Sequence, residues 1–369
     1  MRTPSILLPL VLTAPVLAQG ADLKIEQKSD ETLRFTVETA LKVEQTSKTL
    51  MDGEEFTGRG GRGGRGGRGG GRGGGATGPS SITNKVVFEQ GPAADNWRQY
   101  ISLSSATTRN GQERSTDGGL AGQKIFIRKA GDALSFFDGE GEDAVAIAAN
   151  LTRGLPNRVE LNGLFGSEQA TIGEEFELGA GFLASLRGLV HPVAASGGGR
   201  GAGRAGGRGG AGGRGAGGRG GGRAGRGGRG GRGSAADTLV GVLASSKLSV
   251  EGTGKATSVE DGIATVEITA KLSGEGTAAE LGIAAAGGRG GRGGRGGAGG
   301  QGTSKGTASL TLEGTARINV NTHQLVGMKL SGDVAFNSDV TRSARGGELQ
   351  TISESKGTVS ISVTCESVK

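Results

Sequence analysis

The sequence predicts a mainly β fold: an antiparallel curved sheet or sandwich with one or two helices, interrupted by three disordered Gly/Arg loops. Three observations predict it. Outside the loops, apolar and polar residues alternate with period two, as strands with one buried and one wet face require. Thr, Ser and Val dominate these segments and suit a pleated, half-buried surface. The segments are separated by Asn110-Gly111, Asp261-Gly262 and Asn321-Thr322-His323, short turns of the kind that join antiparallel strands.

The first residues read as an export signal. Arg2 is positive, Ile6 to Leu17 is apolar but broken by Pro9 and Pro15, and Val16 and Ala18 suit cleavage after Ala18. A stretch of about a dozen apolar residues is too short to span a bilayer, which needs roughly 20. Residues 1–18 are therefore a signal peptide, with the product periplasmic or secreted. Residues 19–369 form one β-rich domain, or two halves at 19–195 and 235–369.

Strands follow in order. Leu33-Arg34-Phe35-Thr36-Val37 alternates and continues through Leu41 and Val43, and Lys85 to Phe88 begins the next strand. Ile101 and Leu103 alternate on one face ahead of Asn110-Gly111. Ile125 to Ile127 and Leu134 to Phe137 form a hairpin about Ala130-Gly131-Asp132. Leu248 and Val250 run to Asp261-Gly262, and Ala264 to Leu272 returns. Leu310, Leu312, Ile318 and Val320 turn at His323 into Leu325 to Leu330, followed by Val334 to Phe336 and by Val359, Ile361 and Val363. Helical spacing marks two stretches, Asp143 to Leu155 and Gly181 to Val190. Asp237 to Leu243 fits either a helix or a strand.

The Gly/Arg inserts occupy 57–78, 196–234 and 287–302. Glycine without side chains and arginines repelling one another cannot build a core, and the absence of proline excludes collagen. Gly58-x-Gly60-x-x-Gly63 matches a dinucleotide fingerprint only by low complexity, because no strand-then-helix surrounds it. All three inserts replace connections, where extra length costs little closure entropy.

Charge divides along the same lines. The formal net charge is +7, from 43 basic and 36 acidic residues. Seventeen arginines lie in the tracts: Arg59, Arg62, Arg65, Arg68 and Arg72; Arg200, Arg204, Arg208, Arg214, Arg219, Arg223, Arg226, Arg229 and Arg232; Arg289, Arg292 and Arg295. No acid accompanies them, so the remainder has 26 basic against 36 acidic residues, a net charge of −10. The tract arginines are the expected polyanion-binding residues. No Trp, Tyr or Phe lies between them to stack on bases, which predicts weak, salt-sensitive and sequence-blind attraction.

No residue pattern points to catalysis, a metal or a cofactor. Cys-x-x-Cys and His-Glu-x-x-His are missing. The two histidines stand apart from any recognised motif: His191, before Pro192, is expected in an exposed, extended place, and His323 in a turn. Glu140, Glu142 and Asp143 read as an exposed acidic loop, and Glu174 with Glu175 as a carboxylate pair without a visible partner. Asn150-Leu151-Thr152 is a glycosylation sequon for a eukaryotic exporter. Cys365, the single cysteine, reads as a core thiol on a strand, with no internal disulfide to form.

Three passages carry a family likeness: Leu33-x-Phe35-x-Val37; Leu155-Pro156 with Val159 and Ile172-Gly173-Glu174-Glu175-Phe176; and Gly314-Thr315-Ala316-x-Ile318-x-Val320 with Leu325-x-Gly327-x-x-Leu330-x-Gly332. Over about a quarter of the chain it resembles uncharacterised exported bacterial β-rich proteins. The resemblance implies a β-rich exported domain and brings no catalytic residue. The tracts resemble those of RNA-binding proteins by composition only. The sequence thus leads to an exported, non-enzymatic binding or structural protein that adheres to anionic envelope or extracellular polymers. An envelope carrier of an apolar or amphipathic ligand and an RNA-binding protein stand as alternatives.

Overall fold

The computed structural model describes residues 20–28, 30–55, 77–109, 111–130, 133–152, 154–166, 169–191, 193, 235–283, 303–344 and 347–368. The segment read as an export signal, all seventeen tract arginines and the greater part of each insert lie outside these residues. Thr77 and Gly78, assigned to the first insert from sequence, already belong to a strand.

The elements in chain order are β1 (Gly20–Asp22), β2 (Thr32–Met51), β3 (Glu54–Glu55), β4 (Thr77–Gln90), β5 (Trp97–Arg109), β6 (Gln112–Asp117), β7 (Lys124–Ala130), β8 (Ala133–Phe137), α1 (Ala149–Thr152), β9 (Gln169–Thr171), β10 (Glu175–Glu177), α2 (Ala180–Leu189), α3 (Ala235–Ala244), β11 (Leu248–Glu260), β12 (Ile263–Gly276), β13 (Thr303–Asn319), β14 (Gln324–Ala344) and β15 (Gly347–Val368). β1 pairs with β9. The other thirteen strands form one antiparallel sheet ordered β10-β11-β12-β13-β14-β15-β2-β4-β5-β7-β8, with β3 on β2 and β6 on β5. The fold is mainly β and antiparallel, and the sheet does not close on itself.

Strands from both sides of 196–234 share this sheet. β2 pairs with β15 along its whole length, and β10 pairs with β11. The 22 residues of β15 extend about 70 Å at the usual rise per residue. One face is apolar over the half that covers the helices: Phe35, Val37, Leu41 and Val43 on β2 lie opposite Cys365, Val363, Val359 and Gly357 on β15. The same face turns polar towards the other end, through Gln45, Ser47 and Thr49 against Ser355, Ser353 and Thr351.

The sheet curls around the α2–α3 pair. α2 packs on β11 while α3 packs on β2 and β4. β11 and β4 stand six places apart, about 29 Å in a flat sheet, far more than one helix is wide. Curling requires close backbone approach on the inner face, and three glycines step diagonally through the register to permit it: Gly314 on β13, Gly332 on β14 and Gly357 on β15. A methyl group on them would overlap the carbonyl oxygens of Lys329, Thr311 and Lys42 respectively.

α2 forms because Phe182, Leu183, Leu186 and Leu189 recur at helical spacing towards the sheet. Its other side is small: Gly181 abuts Gly163, Gly188 abuts Val159, and Ser185 Oγ donates to the Glu160 carbonyl at 2.8 Å, so the loop over 154–166 lies flat on the helix. Val190 ends α2, with its N–H donating to Leu186. The segment at 237–243 is helical, and α2 caps it: Arg187 donates to the carbonyls of Leu243 and Ser245, placing positive charge at the C-terminus of α3.

The helix expected over Asp143 to Leu155 shrinks to α1. The preceding residues lie along β8 instead, where Asp138 N donates to Val145 O, Ile147 N donates to Phe136 O, and Ala146 bridges to Phe137. The hydrogen bonds offered by that strand outweigh the helix propensity of the alanines.

Candidate functional site

The tract arginines lie outside the described residues, but their roots do not. Glu55 follows the end of β2, and Thr77 opens β4 opposite Gln45. Thr303 opens β13 opposite Thr341, near the β14–β15 turn. At the other root of the third insert, Ala278 N donates to Ser304 Oγ, and Ile283 N donates to Ala278 O. The first and third inserts therefore spring from the same polar end of the sheet, with β14, β15 and β2 between them. That is about 19 Å from β13 to β4. The second insert joins the end of α2 to the start of α3.

The other end of the sheet carries a buried polar cluster, built by a bulge. Val87 pairs with Ser102 and Phe88 with Tyr100, leaving Ile101 unpaired. The extra residue reverses the alternation of β5. Ile101, expected on the buried face with Leu103, is instead 43% exposed, whereas Tyr100 and Arg98 turn inward and are fully buried. Gln90, opposite Arg98, accepts from Val159 N at 2.8 Å and donates to Val159 O at 3.1 Å, fastening the loop over this end.

His191 completes the cluster. The sequence suggested exposure, but it is 2% exposed, with its ring 4.7 Å from that of Phe88. It follows α2 directly, and the burial of Leu189 and Val190 carries it inward. Its Nε2 lies 2.7 Å from the Gly188 carbonyl, which can only accept, so Nε2 bears the proton and Nδ1 is bare. Tyr100 Oη, 3.4 Å from Nδ1, donates to it and accepts from Arg98 Nη1 at 3.2 Å. The chain Arg98–Tyr100–His191–Gly188 thus links β5 to the end of α2. Arg98 Nη2 also donates to Gln90 Oε1 at 3.4 Å, and its guanidinium lies 5.1 Å from the Phe88 ring centre.

Electrostatics keep the histidine neutral. Burial, then Arg98, holds His191 well below the usual imidazole range, against the hydrogen bond to Gly188. Burial pushes the Tyr100 hydroxyl up, opposed by Arg98. Burial, then Arg98, lowers Arg158, with Glu160 opposing. Neither Arg98 nor Arg158 has an ion-pair partner among the described residues. Arg98 Nε and both Nη atoms of Arg158 are buried without a hydrogen-bond acceptor.

The histidine has a testable consequence. Its folded pKa lies below the unfolded value of about 6.5, so between the two the unfolded chain holds the proton and the folded chain does not. Its contribution is complete above about pH 6.5 and lost as pH falls towards the folded pKa, by up to about 1.4 kcal/mol per pH unit. Denaturant melts at pH 7.5 and 5.5 are expected to show this loss in the wild type and a smaller loss in His191→Gln, whose amide oxygen keeps an acceptor for Tyr100. An equal loss in both would remove His191 as the cause.

The remaining candidate residues do not join this cluster. His323 sits at φ 55 in the β13–β14 turn, with Nδ1 4.0 Å from Asp22. The loop of Glu140, Glu142 and Asp143 is exposed, and Arg128 organises it by donating to the Glu140 and Gly141 carbonyls at 2.8 Å. Glu174 and Glu175 are exposed at the start of β10. Cys365 is buried, which pushes its thiol up to about 12. Among the described residues no three His, Cys, Asp or Glu side chains gather, and no helix is long and apolar enough to cross a membrane. An open groove of about 630 Å³ crosses the solvent face of β13, β14, β15 and β2, where Lys42, Glu44, Asp333 and Lys356 mix both signs.

Arg98, Arg158 and the bulge at Ile101 escaped the sequence. An arginine in a strand reads as an outward residue, and a bulge leaves no mark in a period-two pattern. Comparison with known protein families and with curated proteins finds no match to this chain.

Proposed function

We propose that the chain is an exported, non-enzymatic binding protein that adheres to polyanions through its Gly/Arg inserts, with the β sheet as the scaffold that holds them. The placement of the roots carries this reading: two inserts with eight arginines leave the same end of one sheet, within about 19 Å. Two weakly attractive segments held that close engage one polymer together, and the second contact forms at high effective concentration. The segregation of charge supports the same view, since seventeen arginines stand apart from a remainder of net charge −10.

The buried polar cluster gives no support to catalysis. Its ionisable members are two arginines, a tyrosine and a neutral histidine; the carboxylate that acts on them, Glu160, is exposed. The carrier reading meets an occupied concavity, because α2 and α3 fill the apolar face of the sheet.

The test is binding of the wild type and of a chain with the tract arginines changed to glutamine, which keeps every insert at its length. RNA, DNA and an anionic polysaccharide are titrated across a salt series. All three are expected to bind the wild type with similar, steep salt dependence and to lose binding with the arginines. Changing Arg289, Arg292 and Arg295 alone should flatten the slope of log K against log salt for duplex DNA by no more than about three. Salt-resistant preference for one RNA would overturn the reading in favour of a dedicated RNA binder. Binding that survives loss of the arginines would move the function to the folded part.

A further inference from the structure

The uncompensated charge at the Phe88 end of the sheet calls for a partner. Arg98 is fully buried, and a cation removed from water without a counter-charge costs several kcal/mol. A methionine there would keep the packing against Phe88 without that cost. A second guanidinium, Arg158, hangs from the loop that Gln90 fastens over the same end. Three nitrogen donors, Arg98 Nε with Arg158 Nη1 and Nη2, are closed off from water and give their protons to nothing. The two Nη atoms of one guanidinium form the planar fork that suits two oxygens of a single anionic group. The charged and titratable groups acting there are Arg98, Arg158, Tyr100, His191 and the exposed Glu160, and no ion pair neutralises either arginine among the described residues.

We infer that the Arg98–Arg158 cluster is a seat for one small oxoanion group, a carboxylate, phosphate or sulfate, held beneath the 154–166 loop. Such a group would accept from the idle donors and neutralise the repulsion between the guanidiniums. The site is separate from the inserts and makes a different kind of contact: a single enclosed anion instead of a polymer at the surface. A ligand that binds only the folded chain raises Tm, whereas one that binds arginines equally in the folded and unfolded chain leaves it unchanged. Thermal melts therefore separate the two sites within the full chain.

The experiment compares Tm in sodium chloride with Tm in sodium acetate, phosphate or sulfate at matched ionic strength. At least one oxoanion is expected to raise Tm saturably, by roughly 4 °C at ten times its half-saturating concentration. Arg158→Gln, at a half-buried position on a loop, should remove the rise. The joint change of Arg289, Arg292 and Arg295 to glutamine should leave it intact. Arg98→Met, the more buried change, should lose the response and melt higher than wild type in chloride alone. A wild type indifferent to all three anions overturns the inference, as does a rise of equal size in Arg158→Gln.

Discussion

A Gly332→Val chain is expected not to fold, and Gly332→Ala is expected to lose at least about 3 kcal/mol of stability. Gly332 faces the inner side of β14, directly opposite Leu312, and a Cβ there would overlap the Thr311 carbonyl oxygen. Backbone cannot rotate away as a side chain can. Relief demands that β13 and β14 separate, which breaks ladder hydrogen bonds near the middle of the sheet. Valine adds two methyl groups to the same collision. Gly139→Ala is the control, because its nearest neighbour beyond the adjoining residues would be the Ala144 methyl at 3.5 Å, an ordinary contact. Far-ultraviolet circular dichroism and urea melts on the three chains decide the matter. A Gly332→Ala midpoint within error of wild type would show that the sheet bends elsewhere.

The second large effect is expected at Phe88. Its ring stacks on Phe35 with centres 5.1 Å apart, touches Tyr100 at 6.0 Å and His191 at 4.7 Å, and supports the Arg98 guanidinium. Phe88→Ala should cost about 3–5 kcal/mol, from lost transfer energy and the cavity left behind. That corresponds to a fall in Tm of roughly 10 °C for a chain of this size. A second readout separates this site from any other core position. Water entering the space relieves the burial that depresses His191, so the imidazole pKa should rise towards 6.5, as followed by NMR. Leu312→Ala, remote from the cluster, should lower Tm and leave that titration unmoved. A His191 titration unchanged in Phe88→Ala would mean that burial by this ring is not what holds the histidine neutral.

The hairpins were legible in the sequence because they depend on local chemistry. Asp261 and Gly262 adopt φ 51 and φ 75, a pair of left-handed residues that few other dipeptides tolerate, and the strands either side follow from period-two alternation. α2 was legible for the same reason, through apolar spacing ended by His191-Pro192. What escaped depends on distant partners. Val145, Ala148 and Leu151 carry helical spacing, yet the free edge of β8 claims Val145 and Ala146. His191 looks exposed beside a proline, and only the fold brings Phe88 and Tyr100 over it. Arg98 faces inward because one unpaired residue, Ile101, shifts the phase of β5. The glycines at 314, 332 and 357 stand far apart in sequence, and only register aligns them into one diagonal.

The pairing of β15 with β2 has a consequence in time. The strands β2 to β8 can assemble through hairpins close in sequence, and β11 to β14 can do the same. Neither group is joined along this edge until β15 arrives, because β15 alone lies between β14 and β2. A chain still emerging from the ribosome therefore carries two half-sheets with long unpaired edges, each about 20 residues of open hydrogen-bonding backbone. Contacts so remote in sequence form slowly, and exposed edges seek any strand within reach, including those of a neighbouring copy. Cells that produce this protein must keep it apart from itself until residues 347–368 are delivered.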